Sequence, residues 1–152
     1  GPTDIIGAMA KLHQYLIMSA PTISQVAAVQ ALIHGEADVA QMHAAYDQRR
    51  RVLVDGFNAL GLPCFEPHGA FYTFPRVDHL GMSADEFCER LLHEERLAVI
   101  PGDAFGPSGT GFIRASYASS LENIERALER LSRFLQRNGL QTTSPPAMAA
   151  IR

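Results

Sequence analysis

The 152-residue sequence contains one lysine, Lys11, against 12 arginines, and it has no tryptophan. A reaction that needs an amine nucleophile therefore has one side-chain candidate. The two cysteines, Cys64 and Cys88, occur in unrelated contexts and lack the C-x-x-C spacing that is typical of zinc sites. The six histidines are scattered and form no metal-binding motif. We expect both thiols to be reduced residues of the core, and we expect no metal site.

Long hydrophobic runs and an excess of charge are also missing. The apolar stretches are well short of the roughly 20 residues that a helix needs to span a bilayer. The beginning of the chain lacks a charged segment followed by an apolar run, as a signal peptide would have. A net charge of -3 provides no basic surface for nucleic acid. We expect a soluble, cytoplasmic protein that binds neither membranes nor nucleic acid.

Hydrophobic residues make up 47% of the chain, which is sufficient for a globular core. Apolar residues at helical spacing predict helices over 4–18, 22–34, 36–60, 84–96 and 121–138. Capping boxes beginning at Thr22, Ser83 and Ser119 mark three of the helix starts. In the helix from 84 to 96, the spacing places Phe87, Leu91 and Leu92 on the inward side. The three consecutive arginines at 49–51 are typical of a solvated helix face.

Strand-like segments lie in "GAFYTFP", in "LAVIPG" and around Arg114. The element order predicts an α/β protein of the α+β two-layer type, with a small sheet of three or four strands covered by helices mainly on one face. Residues 1–35 form a preceding helical segment, and residues 36–138 form a domain that begins with a long connecting helix. Residues 139–152 are polar and contain prolines, which is typical of a tail.

The stretch "GTGFIRASYA", residues 109–118, places Arg114 among small and apolar residues. In a strand, Ile113 and Tyr117 share one face and Arg114 lies on the other. One interpretation is an edge residue whose stem covers apolar neighbours while its charged end stays in water. The other is a receptor for a carboxylate, which a guanidinium binds through two parallel hydrogen bonds. The residues alone leave both interpretations open.

The glycine-rich loop "GDAFGPSGTG" precedes the Arg114 strand. Its backbone N–H groups could bind a phosphate, but the loop lacks the G-K-[ST] ending of a P-loop and leads into a strand instead of a helix. The pattern favours a tight connection beside a pocket. His68, Tyr72 and Tyr117 lie near these loops, and each is more typical of a half-buried structural residue than of a catalyst.

Four segments, in this order and spacing, resemble the C-terminal part of class I and II aminotransferases, which are enzymes of fold type I that use pyridoxal 5'-phosphate (PLP). The segments are "KLHQYLIMSAPTISQVAAVQAL", "GAFYTFPRV", "VIPGDAFG" and "GFIRASYA". The resemblance covers about residues 1–138. It implies that residues 1–35 belong to the edge of a large cofactor domain and that residues 36–138 are the small domain with its linking helix.

The resemblance also implies site residues. The arginine of the last motif grips the substrate α-carboxylate in this family, and that role falls on Arg114. Two further motifs border the substrate side of the small domain; their residues here are Gly69, Phe71, Tyr72, Gly102 and Phe105. The implied ligands are an amino acid and a 2-oxo acid, and the implied assembly of the whole enzyme is a homodimer.

The sequence departs from the family at the reactive lysine. The resemblance places the lysine that forms the Schiff base with PLP, and the residues that hold the cofactor, upstream of this chain; Lys11 does not match that motif. We therefore expect no catalytic residue here, no covalent PLP on this chain and no activity of the chain by itself. We also expect an exposed apolar surface on residues 4–33, where a large domain would lie.

Three alternatives to an aminotransferase stay open. The first is another PLP enzyme of fold type I, such as a β-eliminating lyase or a cyclopropane-forming synthase. The second is a transcription regulator that carries an aminotransferase-like domain. The third is a module that binds amino acids without catalysis.

Overall fold

The computed structural model describes residues 1–140. Five α-helices lie in this part of the chain: α1 (Thr3–Leu16), α2 (Thr22–His34), α3 (Glu36–Ala59), α4 (Ala84–Glu95) and α5 (Leu121–Arg137). The strands are β1 (Tyr72–Thr73), β2 (Ile100–Pro101) and β3 (Ile113–Ser116). The predicted order of elements and the predicted α/β fold class are confirmed, although the strands are shorter than the apolar segments that contain them.

The chain forms two compact units, one of residues 1–42 and one that begins at His43, so the division falls inside α3. The predicted boundary between residues 35 and 36 stays a prediction. In the predicted tail, Leu140 packs against the core, and its backbone N–H donates to the carbonyl oxygen of Leu135 at 2.9 Å. Residues 141–152 of that tail lie outside the described residues.

The first unit exposes its apolar side chains. No residue of α1 or α2 is buried. Ile5 is 54% exposed, Leu12 is 64% exposed and Leu32 is 89% exposed. These values confirm the predicted exposed apolar surface on residues 4–33. Unlike the second unit, the first unit has no buried core of its own.

Two of the three predicted helix caps need correction. The Ser83 hydroxyl accepts a hydrogen bond from the backbone N–H of Glu86 at 3.1 Å, as predicted. The prediction for Thr22 is wrong: Pro21 is the N-cap and makes no side-chain bond, and the Gln25 side chain donates to the Ala20 carbonyl oxygen at 2.7 Å. The backbone of Pro21 is already extended there, so Thr22 enters the helix as its first residue.

The third predicted cap is displaced by one residue. The hydroxyl of Ser120, not that of Ser119, accepts from the backbone N–H of Asn123 at 3.2 Å. The Ser119 hydroxyl accepts from the Asn123 side-chain amide instead. Two adjacent serines offer the same capping chemistry, so the sequence alone does not fix which one begins the helix.

The three strands form an antiparallel sheet in the order β1-β3-β2. Tyr72 of β1 pairs with Ser116 of β3, and Ile100 of β2 pairs with Arg114 of β3. Ile113 is fully buried on the face covered by helices, and Tyr117 just after β3 is buried as well. The alternation predicted along β3 is confirmed, and Arg114 lies at the centre of the sheet on its other face.

The core of the second unit lies between this sheet and the helices α3, α4 and α5. Two fully buried rings, Phe87 of α4 and Phe134 of α5, pack against each other in this core with centroids 5.3 Å apart and planes at 83°. The prediction that Leu92 points inward is wrong, because its side chain is 44% exposed. Phe87 and Leu91 are one turn apart on the buried face, and Leu92 is rotated about 100° further around the helix from Leu91, past the edge of that face.

A buried carboxylate joins α4 to α5, and no local pattern of residues predicts it. The Glu95 side chain is 5% exposed. One of its oxygens accepts from Arg133 at 3.0 Å, and the other accepts from Arg137 at 2.9 Å. Arg130 adds a bond to the Glu95 carbonyl oxygen at 3.2 Å. Burial of a charge is tolerated here because each carboxylate oxygen has a cationic partner.

The arginine run of α3 is only partly solvated. Arg51 is exposed, as predicted. Arg50 is not: its side chain is 15% exposed, and its guanidinium pairs with Asp47 at 2.7 Å and also with Glu66. These contacts hold the pKa of the Asp47 and Glu66 carboxyls below their usual values. The prediction of a solvated face is therefore wrong at Arg50, and Arg49 is half-buried as well, with its Cζ atom 5.5 Å from the ring centroid of Tyr46.

The cysteine prediction is confirmed. Cys64 and Cys88 are both free and buried. Burial raises the pKa of each thiol to about 12, because the charged thiolate is disfavoured away from water. Both side chains therefore stay protonated near neutral pH and act as small apolar residues.

Candidate functional site

Arg114 is the central charged residue of the sheet face that the helices leave uncovered. Its strand β3 has a neighbour on each side, so the backbone at Arg114 is fixed by pairing with Ile100 of β2 and lies next to the β1–β3 pairing. The residue is half-buried. A side chain on a central strand is positioned more precisely than one on a loop, which suits a group that has to orient a ligand.

Two aromatic rings contact the guanidinium. The Cζ atom of Arg114 lies 4.2 Å from the ring centroid of Tyr72 and 4.0 Å from that of Phe105. Both distances are well within the roughly 6 Å that defines a cation–π contact. Tyr72 comes from β1, and Phe105 comes from a 3-10 turn, Gly102–Phe105, that follows β2.

Arg114 has no ionic partner within residues 1–140, and its side chain makes no hydrogen bond there. Other arginines of the same unit differ. Arg76 pairs with Asp78 at 2.6 Å, and Arg133 pairs with Glu95. The donors of Arg114 are thus available for an anionic ligand, and the interpretation as a mere edge residue does not explain why two rings enclose its charged end.

The residues predicted to border the site fall into two groups. Tyr72 and Phe105 contact Arg114 directly, and Phe71 stacks on Tyr72 with centroids 4.6 Å apart. Gly69 instead lines a separate polar cavity of about 330 Å³, which Arg114 does not line. The predicted roles of these residues in substrate binding stay predictions.

Gly102, the fifth of these residues, is buried at the base of the loop that carries Phe105. Its N–H donates to the carbonyl oxygen of Phe112 at 2.8 Å. A Cβ atom at Gly102 would clash with the backbone of Gly109, and one at Gly109 would clash with Gly102. The two glycines therefore allow the ends of the loop to meet, which places Phe105 over Arg114.

The polar cavity beside Gly69 has its own network. Tyr46, Arg50 and Tyr117 line it. The Tyr117 hydroxyl donates to the Ala70 carbonyl oxygen at 2.9 Å, and burial raises the pKa of this phenol. Because the Arg50 guanidinium is already paired with two carboxylates, the described residues that line this cavity offer no unpaired guanidinium comparable to that of Arg114.

A second cavity, of about 270 Å³, lies on the helix side of the sheet. Its walls are mainly apolar and include Leu53, Ile113 and Leu128. Within residues 1–140, no cluster of three or more His, Cys, Asp or Glu side chains could hold a metal ion. No helix in that part of the chain is both long and apolar enough to cross a membrane.

Comparisons with known proteins agree with one another. A profile of the family described as "Aminotransferase class I and II" matches residues 1–131. The Bacillus subtilis protein YugH is 47% identical over 136 residues, which are 90% of this chain and 35% of that protein. An aspartate aminotransferase of Pyrococcus abyssi is 39% identical over 141 residues, which cover 91% of this chain and 36% of that protein.

Solved structures show the same likeness. The aromatic aminotransferase of Pyrococcus horikoshii superposes with a TM-score of 0.87 at 40% identity, over 92% of this chain and 38% of that one. The aspartate aminotransferase of Thermus thermophilus with maleate superposes with a TM-score of 0.79 at 40% identity, over 88% of this chain and 35% of that one. The chain thus spans about a third of the length of the relatives that it matches.

Proposed function

This chain belongs to the family of class I and II aminotransferases, and from that premise we propose that it is the C-terminal portion of a PLP-dependent aminotransferase in which Arg114 binds the α-carboxylate of the substrate. The whole enzyme would transfer an amino group from an amino acid to a 2-oxo acid. One observation carries the assignment of Arg114: a half-buried guanidinium at the centre of a sheet has no ionic partner within residues 1–140.

The chemistry of the site suits a carboxylate. A guanidinium presents parallel N–H donors along one edge, and a carboxylate accepts them with both oxygens. Half-burial removes part of the competing water, which strengthens such a pair relative to one on an open surface. The binding of an acid by a solved relative agrees with this proposal, since the Thermus thermophilus enzyme was solved with maleate.

This chain alone does not fit the cofactor. PLP supplies an electron sink for reactions at the α-carbon of an amino acid, and the protein holds it through a lysine amine. The one lysine of this chain, Lys11, is exposed on α1. We propose that the chain by itself binds no PLP covalently and is inactive, and that a longer protein supplies the lysine and covers the apolar surface of the first unit.

This leads to a prediction for Lys11. When the chain is mixed with PLP and reduced with borohydride, we expect at most a low, substoichiometric label, because an exposed lysine has no cofactor pocket to favour the imine. Peptide mass spectrometry measures the label at each site, and Lys11→Arg is the background control. Stoichiometric labelling of Lys11 would contradict the proposal that the reactive amine lies elsewhere.

A second prediction concerns Arg114. We expect Arg114→Ala to weaken the binding of maleate to this chain by about 100-fold, since a bond to a charged group contributes about 1.5–3 kcal/mol. Isothermal titration calorimetry measures the affinity. Arg51→Ala is the matched control, because Arg51 is an exposed arginine of the same unit. Equal affinities of the Arg114→Ala variant and the parent chain would refute the assignment.

The remaining features of the whole protein are proposals as well. A lyase, a synthase, a regulator and an amino-acid-binding module could all use the same arginine, so the reaction has to be assayed on the longer protein. The amino donor and acceptor have to be identified in that assay. A homodimeric assembly remains a prediction that follows from the resemblance, and cytoplasmic location remains a prediction that follows from the composition.

A further inference from the structure

The two rings beside Arg114 approach it from different sides. Each ring centroid lies within 4.2 Å of the same Cζ atom. Within residues 1–140, however, Tyr72 and Phe105 make no ring contact with each other. Two rings that are this close to one atom could not avoid contact if they were on the same side of it. The guanidinium therefore lies between them.

Each of the two rings is itself supported by a further ring. Phe71 packs on Tyr72 with centroids 4.6 Å apart. Phe74 meets Phe105 edge to face, with centroids 6.0 Å apart and planes at 82°. The aromatic rings have few rotatable bonds, and their neighbours limit them further. The support is thus independent of any ligand.

We infer that Tyr72 and Phe105 are positioning residues, which clamp the guanidinium of Arg114 so that its edge alone is open to a ligand. The inference rests on the proposed function in one respect, namely that the ligand is a carboxylate. A planar carboxylate binds to an edge of the guanidinium, so rings on the faces leave the productive approach free. The rings also lower the entropy that the long side chain loses when it binds, because its freedom is already reduced.

A clamp of this kind requires arginine at position 114. Rings stack on the flat, delocalised guanidinium, whereas the ammonium of lysine is a compact charge with no plane to hold. We therefore expect Arg114→Lys to lose the defined geometry even though the positive charge is kept. An edge arginine whose guanidinium is simply solvated would show little effect of the same substitution by lysine.

The test measures the mobility of Arg114 and the binding of maleate in the same variants of the 152-residue chain. Side-chain ¹⁵N NMR reports rotation about the Nε–Cζ bond, and Arg114→Lys assigns the signal. Tyr72→Leu and Phe105→Leu remove a ring but keep an apolar side chain. Tyr72→Phe and Phe105→Tyr keep the ring and serve as rescue variants. Phe65→Leu is the matched control, because Phe65 is an exposed phenylalanine of the same unit that makes no ring contact within residues 1–140.

We expect slow rotation of Arg114 in the parent chain and in both rescue variants. Each leucine variant should speed rotation and weaken maleate binding by about fivefold, as the loss of one cation–π contact implies. Thermal unfolding of each variant shows whether the fold is kept; both rings are partly exposed, so we expect small changes.

Two failures are distinguishable. Free rotation in the parent chain, or equal rotation and affinity in the leucine variants, would overturn the clamp whether or not maleate binds. If rotation is slow but the chemical shift of the Arg114 side chain does not change on addition of maleate, the proposed carboxylate site is overturned. The proposal that the clamp serves carboxylate binding is then overturned as well. If the control Phe65→Leu sped rotation and weakened maleate binding as much as the two leucine variants at the site, the effect would be a general loosening of the unit, and the specific role of the two rings would be overturned.

Discussion

We expect Phe87→Ala to lower the free energy of unfolding by about 3–5 kcal/mol, the largest stability effect of the substitutions considered. Phe87 is fully buried, and its ring meets the buried ring of Phe134 edge to face. Removal of the ring loses its buried apolar contacts and leaves a cavity, which the helices α4 and α5 can close only in part. Urea denaturation monitored by circular dichroism measures the change.

Leu92→Ala is the matched control for Phe87→Ala. Leu92 lies on the same helix, but it is 44% exposed. We expect this substitution to cost less than about 1 kcal/mol, as is usual for surface positions. If the two substitutions had similar effects, the assignment of the buried face of α4 would be wrong.

The second large effect concerns the buried carboxylate. We expect the double substitution Arg133→Ala and Arg137→Ala to destabilise the chain by about 3 kcal/mol, because it leaves the Glu95 carboxylate buried without the two cations that contact its oxygens. The measurement is again the free energy of unfolding in urea, at low and at moderate salt.

The control for the double arginine substitution is made on Glu95. In a chain that carries Glu95→Leu, no buried charge remains, so the same two arginine substitutions should cost little. Arg133 and Arg137 are themselves half-exposed or more, and water can solvate them when the carboxylate is gone. An equal cost in both backgrounds would show that the arginines act by packing and not by neutralising Glu95.

Local sequence patterns predicted the structural features that are determined by residues close together in the chain. The Ser83 cap, the buried face around Phe87 and the alternation along β3 all depend on spacings of two to four residues, and the structure confirms them. Two predictions of helix caps were wrong. At Ser119 and Ser120, two adjacent hydroxyls could each cap the helix, and at Thr22 the extended backbone of the preceding Pro21 makes Pro21 the N-cap.

The site was predictable in part. The position of Arg114 on a strand follows from alternation, and its role in carboxylate binding came from the family resemblance. The enclosure by Tyr72 and Phe105 was not predictable in the same way, because these residues are far apart in the chain and meet only through the pairing of β3 with both of its neighbours. The Glu95 cluster was missed for the same reason, since its partners lie on another helix.

The backbone contact between Gly102 and Gly109 constrains the length of the segment between them, which carries Phe105. An inserted or deleted residue would either break this closure or move the ring relative to the sheet. Side chains that face solvent there, such as Asp103 and Ser108, are free to vary without either consequence. Among relatives and in designed variants, we therefore expect substitutions in this loop to be tolerated far better than changes in its number of residues.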